Sequence, residues 1–381
     1  MSTRCLSLLP LVALLSACAP SVRVPVLQPA MVDVPGDVRT IGVIDRSRPA
    51  NLGEGILGAL EGALTGEAIM GDREGAESAL RTVVATLEES PRYDVVVPNV
   101  NKDQTDSGIF DKELDFRIVR RICRRHHCDA LLALEAFDSD SHLNIDGDPI
   151  DGDKQYTDVT VSRDTRVLAA WRLYDADEDR ILDATRDWTR RETWNHHGDT
   201  LAEARRGLPS QEYTIRFLGD VMGLDYGARI APTWFDVTRY YYGKGSLELK
   251  EGKHYVRAAD WDGARKIWRG LLDDPDRKVR GKAQFNMALA FEVDGALERA
   301  LEHAKKAAVD LHNGRSREYV RILERRIRDQ ERLEEQLSAP PATDDAPPRK
   351  QKPAVYAPKS NKNPESDESD DDEPATMTRP R

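Results

Sequence analysis

Val38-Arg39-Thr40-Ile41-Gly42-Val43-Ile44-Asp45 decides the fold. It is a compact apolar run with a polar turn behind it, which is the signature of a strand. Residues 51–66 follow, rich in Gly and Ala, with Ile56, Leu57, Leu60 and Leu64 at helical spacing. They predict a helix weakened by its glycines. Ala76, Ala79, Leu80, Val83, Val84 and Leu87 form a clean stripe of period 3.6, the strongest helix signal in this half of the chain. The β-branched run 93–97 after Pro91 predicts a second strand. Residues 111–126 then place Leu114, Ile118, Val119, Ile122 and Cys123 on one face of another helix, and 128–136 read as a buried strand. Two longer segments, 156–174 and 180–192, alternate apolar and polar residues across the turn Asp175-Ala176-Asp177-Glu178-Asp179. They predict an antiparallel hairpin with one wet face. Residues 200–222 close the series with Ile215, Leu218 and Met222 facing inward. The order predicts an α/β or α+β domain with a mixed sheet over 36–225.

Past Pro232 the period reads as helical to the end of the folded part, giving an all-α domain over 226–337. Gly252, Tyr255, Trp261, Ala264 and Trp268 sit where a tetratricopeptide repeat keeps small residues and rings. Ala288, Phe291, Leu297, Ala300 and Ala304 repeat that spacing 36 positions on. The usual period is about 34, so an insertion is implied, most simply at Asp273-Asp274-Pro275-Asp276. Small residues let paired helices approach, and rings fill the gap between successive pairs. Glu248 stands where Trp is usual. Two units alone are marginal, so residues 317–337, with Tyr319, Ile322, Leu323, Ile327 and Leu333 on one face, are expected to close the stack. Such a stack presents a groove for an extended peptide or a partner helix. The alternative is that it packs on the first domain and binds nothing.

The ends carry an address instead of a fold. Arg4 precedes an apolar run from Leu6 to Leu15, too short for a permanent membrane span. Leu15-Ser16-Ala17-Cys18 resembles the lipobox of bacterial lipoproteins. That resemblance implies a signal peptide at 1–17, cleavage before Cys18, and lipid on its thiol and new amino group. Two or more acyl chains anchor stably. Ala19, where an aspartate favours inner-membrane retention, points to the outer membrane by analogy, with the protein facing the periplasm. Residues 18–35, rich in Val and Pro, read as a lipidated tether. Residues 338–381, dominated by Pro, Ser, Lys and acidic residues, read as a disordered acidic tail. The formal charge of −11 argues against a nucleic-acid partner, and no basic stripe with interleaved aromatics is expected.

The domain order resembles the small α/β domain of the curli-secretion lipoprotein and of the Tol-system propeller protein's N-terminus. Ile41 to Ile44, Ser90-Pro91-Arg92-Tyr93 and Cys128-Asp129-Ala130-Leu131-Leu132 carry that resemblance. More closely, Thr65-Gly66-Glu67, Trp171-Arg172-Leu173-Tyr174-Asp175 and Pro232-Thr233-Trp234 resemble a family of bacterial lipoproteins joining this domain to tetratricopeptide-like helices. That resemblance brings no enzymatic activity with it.

Cys123-Arg124-Arg125-His126-His127-Cys128 admits a disulfide, free buried thiols or a zinc site, with the disulfide favoured because thiols in an oxidising compartment commonly pair. Asp146, Asp148, Asp151 and Asp153 are weak candidates for calcium, but no register gives an EF-hand loop, and a solvated acidic loop is the plainer reading. Gly243-Lys244-Gly245-Ser246 lacks the order of a phosphate loop and reads as a turn between helices. His196-His197-Gly198-Asp199 reads as the start of a helix capped by Asp199 or Thr200. No Gly-x-Ser-x-Gly elbow and no His-Glu-x-x-His helix occurs. The sequence therefore predicts a non-enzymatic, outer-membrane-anchored scaffold or assembly factor, without cofactor or small-molecule substrate, contacting a protein partner through its helical repeats. The alternatives are a metal-dependent periplasmic enzyme using the Cys/His cluster or acidic loop, and an accessory subunit of an envelope secretion system.

Overall fold

The computed structural model describes residues 20–47, 66–100, 113–150 and 155–338. The signal segment, Cys18, most of the 51–66 helix, Asp151, Asp153 and the acidic tail lie outside these residues. The fold is an α+β domain with a mixed sheet followed by helices, as the sequence predicts.

The quoted stretch supplies strand β2 (Thr40–Asp45) of a five-stranded sheet. Beside it run β3 (Asp94–Val96) and β4 (Ala130–Ile150), both parallel to it, and then antiparallel β5 (Gln155–Asp175) and β6 (Arg180–Thr200). The order β3-β2-β4-β5-β6 puts a parallel half beside a long antiparallel meander. Alternation along the strands sorts their side chains onto two faces. Ile41, Val43, Leu132, Leu134, Trp171 and Leu173 meet helices α1 (Gly66–Glu89) and α4 (Gln211–Ile230) on one face. Ile44, Leu131, Ala133 and Tyr174 meet helix α2 (Phe116–His126) on the other. Both faces are thus covered near the parallel strands.

Helices α1 and α4 approach closely through their small residues. A Cβ at Gly219 would run into the carbonyl of Gly75, and one at Gly223 into the carbonyl of Ala79. Ile215, Leu218 and Met222 are buried as expected. The predicted 200–222 helix is two helices, however: α3 (Leu201–Arg206) stops before Pro209, and α4 starts after Ser210, whose hydroxyl accepts from Tyr213 N. Proline disfavours the helical conformation of the residue before it, which accounts for the break. Helix α4 also runs to Ile230, so the boundary at 225 falls inside a helix.

Two further expectations are corrected. Residues 18–35 are no free tether once Ser21 is reached. Ser21–Gln28 is strand β1, paired in antiparallel register with β7 (Thr233–Tyr240), so the region past Pro232 opens with a strand and not a helix. Val24 and Val26 are buried, and Pro25, which has no N–H to donate, is tolerated in a two-stranded ribbon where each strand has a free edge. The rest of the supposed tether is pinned as well. Gln336 accepts from Ala30 N at 2.9 Å and donates to Ala30 O at 3.1 Å.

After the ribbon come α5 (Leu247–Arg257) and α6 (Trp261–Arg269), then α7 (Arg277–Val293) and α8 (Leu297–Leu311), then the long α9 (Gly314–Leu337). Asp273-Asp274-Pro275-Asp276 does form the connection between the two helix pairs, and Asp276 caps α7 by accepting from Lys278 N. Gly243 to Ser246 joins a strand to a helix, not two helices, and the Ser246 hydroxyl caps α5.

Candidate functional site

The repeat positions read from sequence meet in one core. Ala264, Trp268, Ala288, Ala300 and Ala304 have no exposed surface, and Phe291 and Leu297 are buried. Tyr255 and Trp261 pack half-buried against them. Gly252 is small for a reason: a Cβ there would strike the Trp268 indole.

The ribbon and the residues after it are joined to α7 and α9. Beyond the ribbon, Tyr242 lies on α7, donating its N–H to Asn286 Oδ1 at 2.8 Å and accepting from Asn286 Nδ2 at 2.8 Å. Its ring meets Phe285 edge-on, and Phe285 in turn touches Tyr319. At the ribbon's edge Arg239 grips the fully buried Glu292 at 2.9 to 3.1 Å. Arg326 adds a contact at 2.6 Å and the Tyr319 hydroxyl donates at 2.7 Å. Burial alone would raise the Glu292 carboxyl, but Arg239, Arg326 and Tyr319 more than offset it and hold it below its ordinary range. Ribbon, α7 and α9 are therefore one unit, and α7 is buried along nearly its whole length.

Helix α2 presents the opposite arrangement. Asp115 caps its start, with its carboxylate bonded to Arg117 N at 2.8 Å, and the Arg117 guanidinium holds that carboxyl down to about 2. Val119, Ile122 and Cys123 bury the inner face. Cys123 and Cys128 are joined as a disulfide across a Cα–Cα distance of 4.5 Å. His127, left-handed at φ 56°, turns the chain between them, and Cys128 N donates to Cys123 O. The bridge thus pins the end of α2 to β4. The outer face is all arginine: Arg117, Arg120, Arg121, Arg124 and Arg125 line one shallow depression. Arg120 reaches Asp179 at 2.7 Å. Arg121, Arg124 and Arg125 are exposed and meet no carboxylate among the described residues. The outer face is a basic stripe without interleaved aromatics.

Local helix stability does not account for the stripe. Arg117 and Arg121, Arg121 and Arg125, and Arg120 and Arg124 are like charges four apart, each pair destabilising a helix by about 0.2–0.5 kcal/mol. Only Arg124, Arg125 and His126 occupy the last turn, where the helix dipole favours cations.

Buried charge elsewhere is structural. Arg46 pairs with Glu135, both almost wholly enclosed, and the Tyr174 hydroxyl donates to Glu135 at 2.6 Å while accepting from Leu114 N at 3.2 Å. Asp72 is bonded to Ser139, and burial, with Asp138 nearby, pushes its carboxyl up to about 7. Arg46, Glu135, Asp72 and Ser139 were not singled out from sequence, because no local pattern marks a partner brought from a distant strand. Asp146 and Asp148 lie on β4 near the end of the meander, away from the Cys/His cluster. Among the described residues no group of three or more His, Cys, Asp or Glu side chains is placed to hold a metal ion. His196 and His197 sit on β6, not at the start of a helix; Thr200 caps α3 by accepting from Glu203 N.

Among solved structures, a hypothetical protein, CT253 from Chlamydia trachomatis, is similar at 12% identity over 51% of this chain and 93% of its own. The TM-score of 0.21 is too low to support any argument. No curated protein matches the chain. Residues 250–325, which cover α6 to α8 and most of α5, match a domain of unknown function, DUF6340. Residues 38–242, from the first strand of the sheet to Tyr242 on α7, match a second domain of unknown function, DUF8603, over more than half of the chain. By the extent of that match, the protein belongs to the DUF8603 family.

Proposed function

We propose that this is a non-enzymatic lipoprotein of the bacterial outer membrane that acts as an envelope scaffold or assembly factor, and that its contact with an acidic protein partner is made by the arginine face of α2. The observation that carries the reading is the trio Arg121, Arg124 and Arg125: exposed, mutually repelling, and without carboxylates among the described residues. Guanidinium groups suit bidentate recognition of carboxylates. The disulfide beneath them fixes the helix end that presents them. In this reading the helical repeats brace the molecule, packing against the apolar side of the β1–β7 ribbon through Val24 and Val26.

The test is cross-linking in native envelopes with Arg121→Glu/Arg124→Glu/Arg125→Glu beside the unaltered chain. Reversal of the three charges is expected to abolish one specific adduct while the protein stays folded and membrane-bound. An adduct pattern identical in the two strains would contradict the assignment of the partner surface. Cys18→Ala is expected to move the protein to the soluble envelope fraction, and retention in the membrane would contradict lipid anchoring.

A further inference from the structure

Strand β1 begins three residues after the lipobox cysteine. Pro20 O accepts from Tyr241 N at 3.0 Å, and β1 begins at Ser21. Only Ala19 separates Cys18 from that anchored proline, and two residues of fully extended chain span at most about 7 Å. A lipid on Cys18 therefore cannot hold the protein at a distance. It must bring the Pro20 end of the ribbon to the bilayer surface.

Leu247, the first residue of α5, is 82% exposed, and Tyr240 is 47% exposed. Arg315 lies over the rings of Tyr240 and Tyr242, at 5.1 and 6.0 Å from their centroids. Lys244 and Lys250 are exposed beside them, Lys253 packs its stem near Gly243, and Lys282 donates to Lys244 O at 2.9 Å. Five cations thus gather here against the carboxylates of Glu248 and Glu251, on a chain whose formal charge is −11. Tyrosine and an exposed leucine ringed by Lys and Arg match the chemistry of a headgroup layer, where amphipathic rings sit at the interface and cations meet phosphates.

We infer that the end formed by Pro20, Tyr240, Lys244, Leu247 and Arg315 is a membrane-docking surface for anionic phospholipid headgroups. It orients the molecule with the Pro20 end of the ribbon and the start of α5 against the bilayer. The inference rests on acylation of Cys18, and it adds an orientation that acylation alone does not give.

The closing experiment exploits the cysteines. With Cys18 acylated, Cys123 and Cys128 bridged and Cys5 removed with the signal, an engineered cysteine is the sole free thiol. Leu247→Cys and, as a control on the sheet domain, Val97→Cys (a site 67% exposed) are labelled with a nitroxide in the full lipidated protein. Each is reconstituted into vesicles containing phosphatidylglycerol. The ratio of oxygen to nickel-chelate accessibility is expected to rise severalfold at 247 on passing from detergent to vesicles, and to stay unchanged at 97. Equal ratios at the two sites in protein whose mass shows an acylated Cys18 would overturn the docking surface and leave the anchor standing. A mass showing an unmodified Cys18 would overturn the anchor and the docking surface together.

Discussion

Arginine does opposite work in the two halves of this molecule. Around Glu292, Arg239 and Arg326 converge on one enclosed carboxylate, and Tyr319 takes up its remaining capacity. On α2, arginines stand side by side in water, and three of them face no carboxylate among the described residues. The first arrangement satisfies every group it buries, so it ties ribbon to helix and offers nothing to a partner. The second sets like charges four apart, and leaves Arg121, Arg124 and Arg125 without a carboxylate among the described residues. Charge that is buried and paired reports architecture, whereas charge that is exposed and mutually repelling reports a contact still to be made.

Removing the buried carboxylate is the severest way to break that contrast. Glu292→Ala leaves two guanidiniums facing each other in a largely enclosed site, and is expected to cost about 3–5 kcal/mol in denaturant unfolding. A loss under about 1 kcal/mol would show that the pairing is incidental. Because the folded carboxyl titrates below its ordinary value, the contribution is present above about pH 4.5 and is lost as pH falls through the folded value. An uncharged control comes next in size. Gly223→Val drives methyl groups into the Ala79 carbonyl and is expected to cost about 1–3 kcal/mol, with no dependence on pH.

Asp72 sharpens the comparison, as a buried carboxylate bonded to a hydroxyl and not to a cation. Its pKa is raised from 3.8 to about 7, so the stability it contributes is complete below about pH 3.8 and gone once the pH has risen through about 7. Asp72→Asn is therefore expected to raise the melting temperature at pH 8, by the equivalent of about 1–3 kcal/mol, and to change little at pH 4. An unchanged melting temperature at pH 8 would mean that water reaches the carboxyl. The smallest effect is expected on α2. Arg121→Gln/Arg124→Gln/Arg125→Gln is expected to leave stability within about 0.5 kcal/mol, or to improve it slightly by relieving repulsion.

What was legible in the sequence is what short-range periodicity can carry. The Ala76–Leu87 stripe, the apolar face of α2, the hairpin around Asp175 and the 36-residue recurrence of small residues all depend on neighbours a few positions apart. What escaped depends on partners far along the chain. Val22, Val24 and Val26 alternate as a strand should, but Pro25 and the nearby lipobox made a tether the readier reading, and the pairing strand lies beyond the whole sheet domain. Gly219 and Gly223 look like helix weakeners until α1 is laid against them. The arginines of α2 were in plain view. Their signal is charge repeating every three to four residues along 117–125, which overlaps the Cys123 to Cys128 cluster.

One preparation tests the central claim directly. The Arg121→Gln/Arg124→Gln/Arg125→Gln chain is compared with the unaltered chain for denaturant midpoint and for cross-linked partner in the same envelopes. The account predicts an unchanged or slightly higher midpoint together with loss of the partner adduct. A lowered midpoint, or an adduct that survives, would show that these arginines serve the fold or nothing at all.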